Sequence, residues 1–456
     1  MSHATLERRF ANFRSTAATE TDEPSVAERS AGLAERLAAA LDAEIVLTDL
    51  GSVVRCEPLT VILPLDRERL ERLPGQPPRD VPLVCLDTET TGLATAAGTM
   101  AFLVGLGWWE GERFRQTQLL LPDHADEPAL LAMLEAHIPA GSWLVTYNGR
   151  TFDWPLLVAR YRMARRDPPI HSGHLDLLPF VRRVFRHRMI DARLRTVEAE
   201  LLGVERHGDV EGWEIPGRYL DFLRYGAADP LIEVVRHNRE DVRSLARLLA
   251  HMEERFADAA GRQRGHRGDL AGLARAFARE RRLDEALDCI DTALAAPAPP
   301  PDTRAAAPAV DPDDQWWAPR RPVDYGGRPR ARPTVAPPPR LDSPWTEERI
   351  LVERARLLRR LGRFAAAAET WEALAAGVGP TALAAWIEVA KLREHRLGDP
   401  RGALAAVEQA RTVASRRRSL GRPDPRFDRE LARRLARLMQ RVAAARGRDL
   451  RPARPA

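Results

Sequence analysis

The chain has 456 residues, more than one hydrophobic core usually holds, so we expect two or three domains. Its 44% hydrophobic and 30% charged content is typical of a globular protein, and no apolar run reaches the roughly 18 residues that span a membrane. A net charge of only +5 is weak grounds for a nucleic-acid partner. Because the N-terminus lacks a secretory signal and the three cysteines lie far apart, we expect a cytoplasmic protein without disulfides or membrane contact.

The first elements along the chain are predicted to form a small adapter that packs on the main domain. Residues 1–25 are polar and are predicted to be disordered. Residues 26–80 are predicted to form an α/β adapter that begins with an amphipathic helix, since leucine recurs at every fourth position. Two short strands, at 44–48 and 60–63, follow around a turn at Gly51.

Residues 81–252 are predicted to form the main domain, an α/β mixed sheet flanked by helices. The continuous apolar run with which it begins is typical of a central buried strand. Further strands are predicted at 100–109, 114–121 and 142–147, and helices at 128–137, 154–163, 177–185, 194–202 and 230–252. The segment 209–217 is predicted to be a loop.

Beyond this domain the pattern becomes entirely helical. Small residues at helix contacts and Gly or Asp at the turns resemble tetratricopeptide repeats, which stack as helical pairs with a period of about 34 residues. We therefore predict an all-α tetratricopeptide-like region that binds a protein partner. Its predicted parts are a first repeat at 253–296, a proline- and arginine-rich linker at 297–345, further repeats at 346–446 and a tail at 447–456.

Two carboxylates stand at the end of the predicted central strand. Asp87 and Glu89 are separated by one residue, and alternation along a strand sends both to the same face. Helix capping by Thr90 and Thr91 is the alternative explanation. However, a capped helix does not need two acids beside a buried strand, where unpaired charges are costly.

Two later motifs bring further acids. Asp153 follows a predicted strand, and taken alone it is better explained as a helix cap before Pro155. His237 and Asp241 are four residues apart on a predicted helix and share one face, although an ordinary solvated pair would look the same. Hard cations such as Mg²⁺ need several oxygen ligands, and a histidine near neutral pKa suits a general base. Together the three motifs predict a two-metal nuclease.

The motifs resemble those of a known family. They are similar to the three exonuclease motifs of the DEDD superfamily, which has a ribonuclease-H-like fold. More narrowly they resemble the bacterial YprB-like family, which adds C-terminal tetratricopeptide-like repeats. The segments that carry this resemblance are Leu86–Leu93, Gly98–Gly105, Tyr147–Pro155 and His237–Asp241.

The resemblance implies a 3′→5′ exonuclease that uses two Mg²⁺ or Mn²⁺ ions, acts on DNA in repair and works beside a helicase partner. It also implies a ligand set for the metals, and a base at His237, which stands four residues before the last acid where the histidine subgroup usually has five. The implied metal ligands are Asp87, Glu89, Asp153 and Asp241.

Other polar residues near these motifs receive separate predictions. The turn at Asn148 can bring backbone close to a substrate. We predict structural roles for Asp176 and for the 209–217 loop, outside the metal set. The predicted substrate-binding residues are Thr88, Thr90, Asn148 and Phe152.

Two alternatives to a DNA exonuclease stay open. An exoribonuclease is the nearest alternative, because nothing in the motifs recognises a 2′-hydroxyl. A catalytically inert scaffold that binds nucleic acid or protein is the other. Retention of four clustered acids argues against the scaffold, since such carboxylates repel one another unless a cation neutralises them.

Overall fold

The chain divides into two compact units. The computed structural model describes residues 25–92, 98–206, 208–296, 345–377, 381–421 and 425–449. The first unit contains residues up to 179 together with 197–253, and the second contains 180–196 with the residues from 254 onward. The predicted disordered segment before residue 25, the predicted linker up to residue 344 and the tail after residue 449 lie outside the described residues.

The first unit is built on one mixed sheet. In its described part the sheet has eight strands in the order β1-β2-β6-β5-β4-β7-β8, and β3 also pairs with β6. The strands are β1 (Glu44–Thr48), β2 (Gly51–Arg55), β3 (Leu59–Ile62), β4 (Leu83–Thr90), β5 (Ala101–Glu110), β6 (Arg113–Leu120), β7 (Trp143–Thr146) and β8 (Gly173–Asp176).

Strand β4 lies at the centre because its first four residues, Leu83 to Leu86, are all buried. It pairs antiparallel with β5 and parallel with β7, and β7 pairs parallel with β8. The carboxyl ends of β4, β7 and β8 therefore meet at one edge of the sheet. The start of β5 and the end of β6 lie at the same edge.

Helices accompany the sheet along the chain. They are α1 (Val26–Leu41), α2 (Arg67–Glu71), α3 (Glu127–His137), α4 (Asp153–Met163), α5 (Leu177–Val184), α6 (Leu194–Val197), α7 (Ile215–Tyr225) and α8 (Pro230–Phe256). The core of the first unit includes the stacked rings of Phe102 and Tyr219, whose centroids are 4.1 Å apart. This contact fixes α7 against β5, the strand beside β4.

The predicted mixed sheet with accompanying helices is confirmed, with corrections to single elements. Residues Gly51–Arg55 form β2, a strand that was not predicted after the turn at Gly51; Val53 and Val54 are fully buried and so favour a strand. The predicted loop at 209–217 runs into α7, which begins at Ile215. The helix predicted at 194–202 is α-helical only to Val197 and continues as a π-helix, Glu198–Leu202.

The sheet crosses the boundary predicted at residue 80. Strands β1, β2 and β3 from the predicted adapter pair in the same sheet as the strands of the predicted main domain. Conversely, residues 180–196 lie within the predicted main domain but belong to the second unit. In that unit the Phe185 ring lies 5.8 Å from the Phe256 ring. The exact domain boundaries stay a prediction.

The second unit is all-α, as predicted. Its helices are α9 (Ala259–Gln263), α10 (Arg267–Arg279), α11 (Leu283–Ala295), α12 (Glu347–Arg360), α13 (Phe364–Ala375), α14 (Ala382–His395), α15 (Pro400–Ser419) and α16 (Pro425–Asp449). From α10 onward each helix packs on the next one. Each of three turns contains one residue at positive φ, namely Arg281, Gly362 and Gly398. Among the described residues of both units, no helix is long and apolar enough to cross a membrane.

Candidate active site

The two acids of the first motif lie on β4, as the sequence predicts. Asp87 pairs with Gly105 of β5 and Glu89 pairs with Leu103, so both carboxylates stand on the same face of the sheet. The two threonines that follow, for which helix capping was the alternative role, bond to the backbone between β4 and β5. The Thr90 hydroxyl donates to the Gly92 carbonyl at 2.7 Å, and the Thr91 hydroxyl accepts from the Met100 N–H at 3.0 Å.

Asp87 is held by a residue of the long helix α8. Asn238 is fully buried, and its Nδ2 donates to Asp87 Oδ2 at 2.9 Å. Helix and strand can approach this closely because β5 has glycine at position 105. A Cβ added there would lie 2.2 Å from Asn238 Oδ1 and 2.7 Å from Val242 Cγ2. Gly105 therefore sets the distance between the helix and the acid.

We expect Gly105→Ala to destabilise the first unit by about 1–3 kcal/mol, because a methyl group in a filled core forces side chains and backbone to shift. Thermal unfolding and hydrolysis rate both report on the change. Gly217→Ala is the matched control, because nothing lies within 4 Å of its added methyl group and alanine favours the helix. Equal stability of the two variants would contradict the proposed close approach.

Asp153 reaches the same region from the start of α4. It is buried, and its Oδ1 accepts a hydrogen bond from the hydroxyl of Thr88, the residue between the two acids of β4. The turn before it is fixed by Asp176, which accepts from the backbone N–H groups of Asn148 at 2.8 Å and Arg150 at 3.3 Å. Asp176 therefore organises the turn that presents Asp153.

The four predicted substrate-binding residues lie close to these acids along the chain, and their roles stay predictions. Three already hydrogen-bond within the protein: Thr88 to Asp153, Thr90 to the Gly92 carbonyl, and Asn148 Oδ1 to the Thr151 hydroxyl. Asn148 has the positive φ of 66° that a tight turn requires. Phe152 is half-buried immediately before α4.

His237 of α8 faces two of the acids with one ring nitrogen. Its Nε2 lies 3.9 Å from Glu89 Oε1 and 3.7 Å from Asp241 Oδ2. The other nitrogen, Nδ1, lies 2.8 Å from Asp209 Oδ1. A charged carboxylate can only accept, so Nδ1 carries the proton of the neutral ring, and the lone pair of Nε2 points toward the acids.

Arg206 balances the negative charge of the carboxylates beside His237. Its guanidinium is nearly buried and contacts three carboxylates, those of Glu198, Asp209 and Asp241. The contact with Asp241 involves Oδ1 at 2.5 Å, while Oδ2 of the same group faces His237. Arg206 therefore fixes one oxygen of Asp241 and leaves the other directed into the site.

The site resists the simultaneous ionisation of its acids. The pKa values of Asp87 and Glu89 lie well above the usual carboxyl range, first because both groups are buried and then because Asp241 and the other acids repel them. Burial also raises the pKa of Asp153 to about 6, against the opposing hydrogen bond from Thr88. Burial acts to raise the pKa of Asp209 too, but the contacts with His237 and Arg206 outweigh it and lower that pKa.

These shifts predict a pH dependence of stability. A carboxyl whose pKa is raised by folding stabilises the fold at low pH, and this contribution is lost as the pH rises from 3.8 through about 6 for Asp153. Asparagine resembles the protonated acid. In chelator, the free energy of unfolding of Asp153→Asn should therefore rise relative to that of wild type by up to about 3 kcal/mol when the pH is raised from 4 to 7.5. Thermal unfolding at both pH values tests this, and a constant difference would contradict it.

The donor set fits hard divalent cations. Asp87, Glu89, Asp153 and Asp241 offer carboxylate oxygens only, and a cation among them would relieve the repulsion that raises the pKa values. In the described residues these four do not form a group whose ligand atoms all lie within 4.8 Å of one another.

One set of three possible ligands in the described residues is packed that closely: His187, His266 and Asp269, in the second unit. Its ligand atoms already have protein partners. Arg188 donates to both oxygens of Asp269, at 3.1 and 2.8 Å, and His266 Nδ1 accepts from the Gly268 N–H. We therefore interpret this set as a hydrogen-bond network that holds the start of α10.

Sequence reasoning missed three members of the site. Asn238 lies within the recognised His237–Asp241 motif, so its position on α8 was the available signal. Asp209 was noted only as part of a loop beside the site. Nothing marked Arg206, because arginines are abundant throughout this chain. All three hold functional side chains in place through contacts that join residues distant in sequence.

Comparison with known proteins agrees with this geometry. A family model described as RNase_H_2, of the RNase_H superfamily, matches residues 84–253. The chain is also 36% identical over 207 residues to "Uncharacterized protein YprB" of Bacillus subtilis (strain 168). That match covers 45% of this chain and 50% of the relative, so the chain spans about half the length of the curated protein it matches. The predicted resemblance to YprB and the ribonuclease-H-like fold are thereby confirmed.

Proposed function

Since residues 84–253 match the ribonuclease H superfamily and 207 residues of the chain are similar to YprB, we propose that this chain is a divalent-metal-dependent 3′→5′ exonuclease acting on DNA. A nuclease-type function follows from the superfamily itself. The observation that supports the finer proposal is the convergence of Asp87, Glu89, Asp153 and Asp241 from three segments at one edge of the sheet, with His237 directed at two of them.

Ribonuclease-H-like folds generally use divalent metals, and we propose two Mg²⁺ or Mn²⁺ ions here. Asp87, Glu89 and Asp241 would hold one, and Asp87 with Asp153 the other. When bound, the ions would supply Lewis acidity to the attacking water and the leaving 3′ oxygen. Two contacts support this arrangement: Asn238 fixes the carboxylate of Asp87, and Arg206 holds one oxygen of Asp241 and leaves the other free to bind.

In this proposal the chain's own base is His237. Asp209 keeps the proton of the neutral ring on Nδ1, so that Nε2 can accept a proton from water near Glu89 and Asp241. The proton then rests on Nε2, and the charged ring is stabilised by Asp209. The low pKa of Asp209 suits this role because the carboxylate stays ionised.

The second unit and the cellular setting complete the proposal. Helices α12 and α14, the first members of successive pairs, begin 35 residues apart, close to the tetratricopeptide period of about 34. We propose that these helices bind a protein partner. A cytoplasmic role in DNA repair beside a helicase is supported only by the resemblance of the motifs.

The substrate class is tested by incubating the full chain with DNA and RNA of matched sequence and end label, each with Mg²⁺, Mn²⁺ or chelator. The proposal predicts faster metal-dependent loss of DNA than of RNA. Faster degradation of RNA would identify an exoribonuclease. Binding of either nucleic acid without hydrolysis under all metal conditions would support the inert scaffold.

A further inference from the structure

A polar cleft of the first unit, outside the set of acids described above, lies between α1 and α7. It has a volume of about 750 Å³, and its charged and aromatic lining comprises Glu28, Arg29, Arg36, His124, Arg224 and Tyr225. We propose that this cleft binds the phosphates and bases of a single nucleic-acid strand a few nucleotides from the bond that is cut. The inference rests on the proposed nuclease function and extends it by naming where the strand is held.

Two of the three arginines have charges available for a ligand. Arg29 is occupied, because its Nε lies 3.3 Å from Asp123 Oδ2 and its Nη2 donates to the Leu223 carbonyl. Arg36 and Arg224 are exposed, and within the described residues neither forms an ion pair. The carboxylate of Glu28 accepts from the backbone and hydroxyl of Ser25. The cleft therefore presents two free guanidinium groups.

The cleft also presents an aromatic ring. Tyr225 is the last residue of α7 and is 72% exposed. The helix ends there because Gly226 adopts a positive φ of 71°, and the lack of a side chain at Gly226 leaves room for Arg36. A Cβ at that position would lie 2.1 Å from Arg36 Nη1. Guanidinium groups beside an exposed ring are the usual means of holding a strand without regard to sequence.

The position of the cleft relative to the acids gives its role. Glu89 pairs with Leu103, and Leu103 pairs with Leu120 at the end of β6. That end is therefore two strand spacings, about 10 Å, from Glu89. His124 of the cleft follows four residues later. The cleft helix α7 packs on Phe102, which points to the face of the sheet opposite Leu103, so a strand with its terminus at the acids would pass around this edge to reach the cleft.

The test uses the full chain in chelator, so that binding is measured without hydrolysis. Anisotropy of a 5′-fluorescein, 12-nucleotide single-stranded DNA is recorded from 50 to 200 mM salt. Replacing Arg36 and Arg224 with glutamine should reduce the magnitude of the salt slope by about 1.4, or about 0.7 per phosphate contact. The control pair, Arg79→Gln with Arg113→Gln, lies before β4 and at the start of β6, at the opposite edge of the sheet.

Substitution of the ring provides a second readout. Tyr225→Ala should weaken binding of the 12-mer about ten-fold or more, whereas Tyr225→Phe should bind like wild type because stacking needs only the ring. The proposal would be overturned if the salt slope fell equally in the control variant, or if it did not fall when Arg36 and Arg224 are replaced. Displacement of the 12-mer by dAMP at equal affinity would overturn it in favour of a nucleotide site, and tighter binding of an oligoglutamate peptide in favour of a protein partner.

Failure of this inference and failure of the proposed nuclease function are distinguishable. If the chain never hydrolyses DNA but replacement of Arg36 and Arg224 reduces the salt slope as expected, the strand site stands and the nuclease proposal fails. If hydrolysis is intact and the cleft pair binds the 12-mer like wild type, the cleft is not the strand site.

Discussion

Replacing Asp87 with asparagine should lower metal-dependent hydrolysis by about 10³-fold or more and leave the fold intact. The proposal makes Asp87 a ligand of both ions, and their Lewis acidity contributes several kcal/mol, each 1.4 kcal/mol being a factor of ten in rate. Asparagine preserves the size of the side chain and can still accept from Asn238. The rate at saturating Mn²⁺ and the Mn²⁺ affinity from calorimetry measure the effect.

The thermal stability of the same variant provides a second test, because stability should rise while hydrolysis falls. Because burial and neighbouring acids disfavour the charged form of Asp87, the variant should unfold at a higher temperature than wild type in chelator at pH 7.5. Asp80→Asn is the control, since this exposed acid on the loop before β4 should change neither property. Undiminished turnover of Asp87→Asn would refute the ligand assignment.

The second large effect is expected at His237. His237→Ala should slow the chemical step by about 10²–10⁴-fold, the usual contribution of a general base, without weakening Mn²⁺ binding. Asp209→Asn should also slow it, because an amide no longer holds the ring in the tautomer that exposes Nε2. Single-turnover rates at saturating Mn²⁺ isolate this step, and His137→Ala on α3 serves as the control.

Two outcomes separate a base from other roles. If His237 is the general base, the pH profile of the single-turnover rate should lose its acidic limb in His237→Ala. If the variant instead binds Mn²⁺ poorly and recovers its full rate at high Mn²⁺, His237 is a ligand or a structural residue. In that case Asp209 has no catalytic positioning role.

The elements that could be predicted from sequence are those with strong local signals. The buried run of β4 and the acids that follow it identified the centre of the sheet, and the three motifs identified the residues that gather at its edge. The contacts of Arg206 with Glu198 and Asp241 could not be predicted. Glu198 lies in the π-helical segment, which follows α6 where regular periodicity suggested a continuous α-helix, and Asp241 lies on α8, distant in sequence from Arg206.

The larger errors of prediction concern segments that pack against residues distant in sequence. The strand that begins at Gly51 was not predicted, and it pairs with β6 some 65 residues later because Val53 and Val54 need a buried position. Residues 180–196 look continuous with the nuclease domain but pack with helices beyond residue 253. Local pattern shows that these residues are apolar, while long-range packing decides where they lie.

The most direct test of the nuclease account is the time course of shortening of a 5′-labelled single-stranded DNA. With Mn²⁺ the wild-type chain should produce a ladder that shortens by one nucleotide at a time from the 3′ end, while chelator or Asp87→Asn leaves the strand at full length. Internal cuts at early times, shortening that starts at the 5′ end, or an undegraded strand in Mn²⁺ would contradict it.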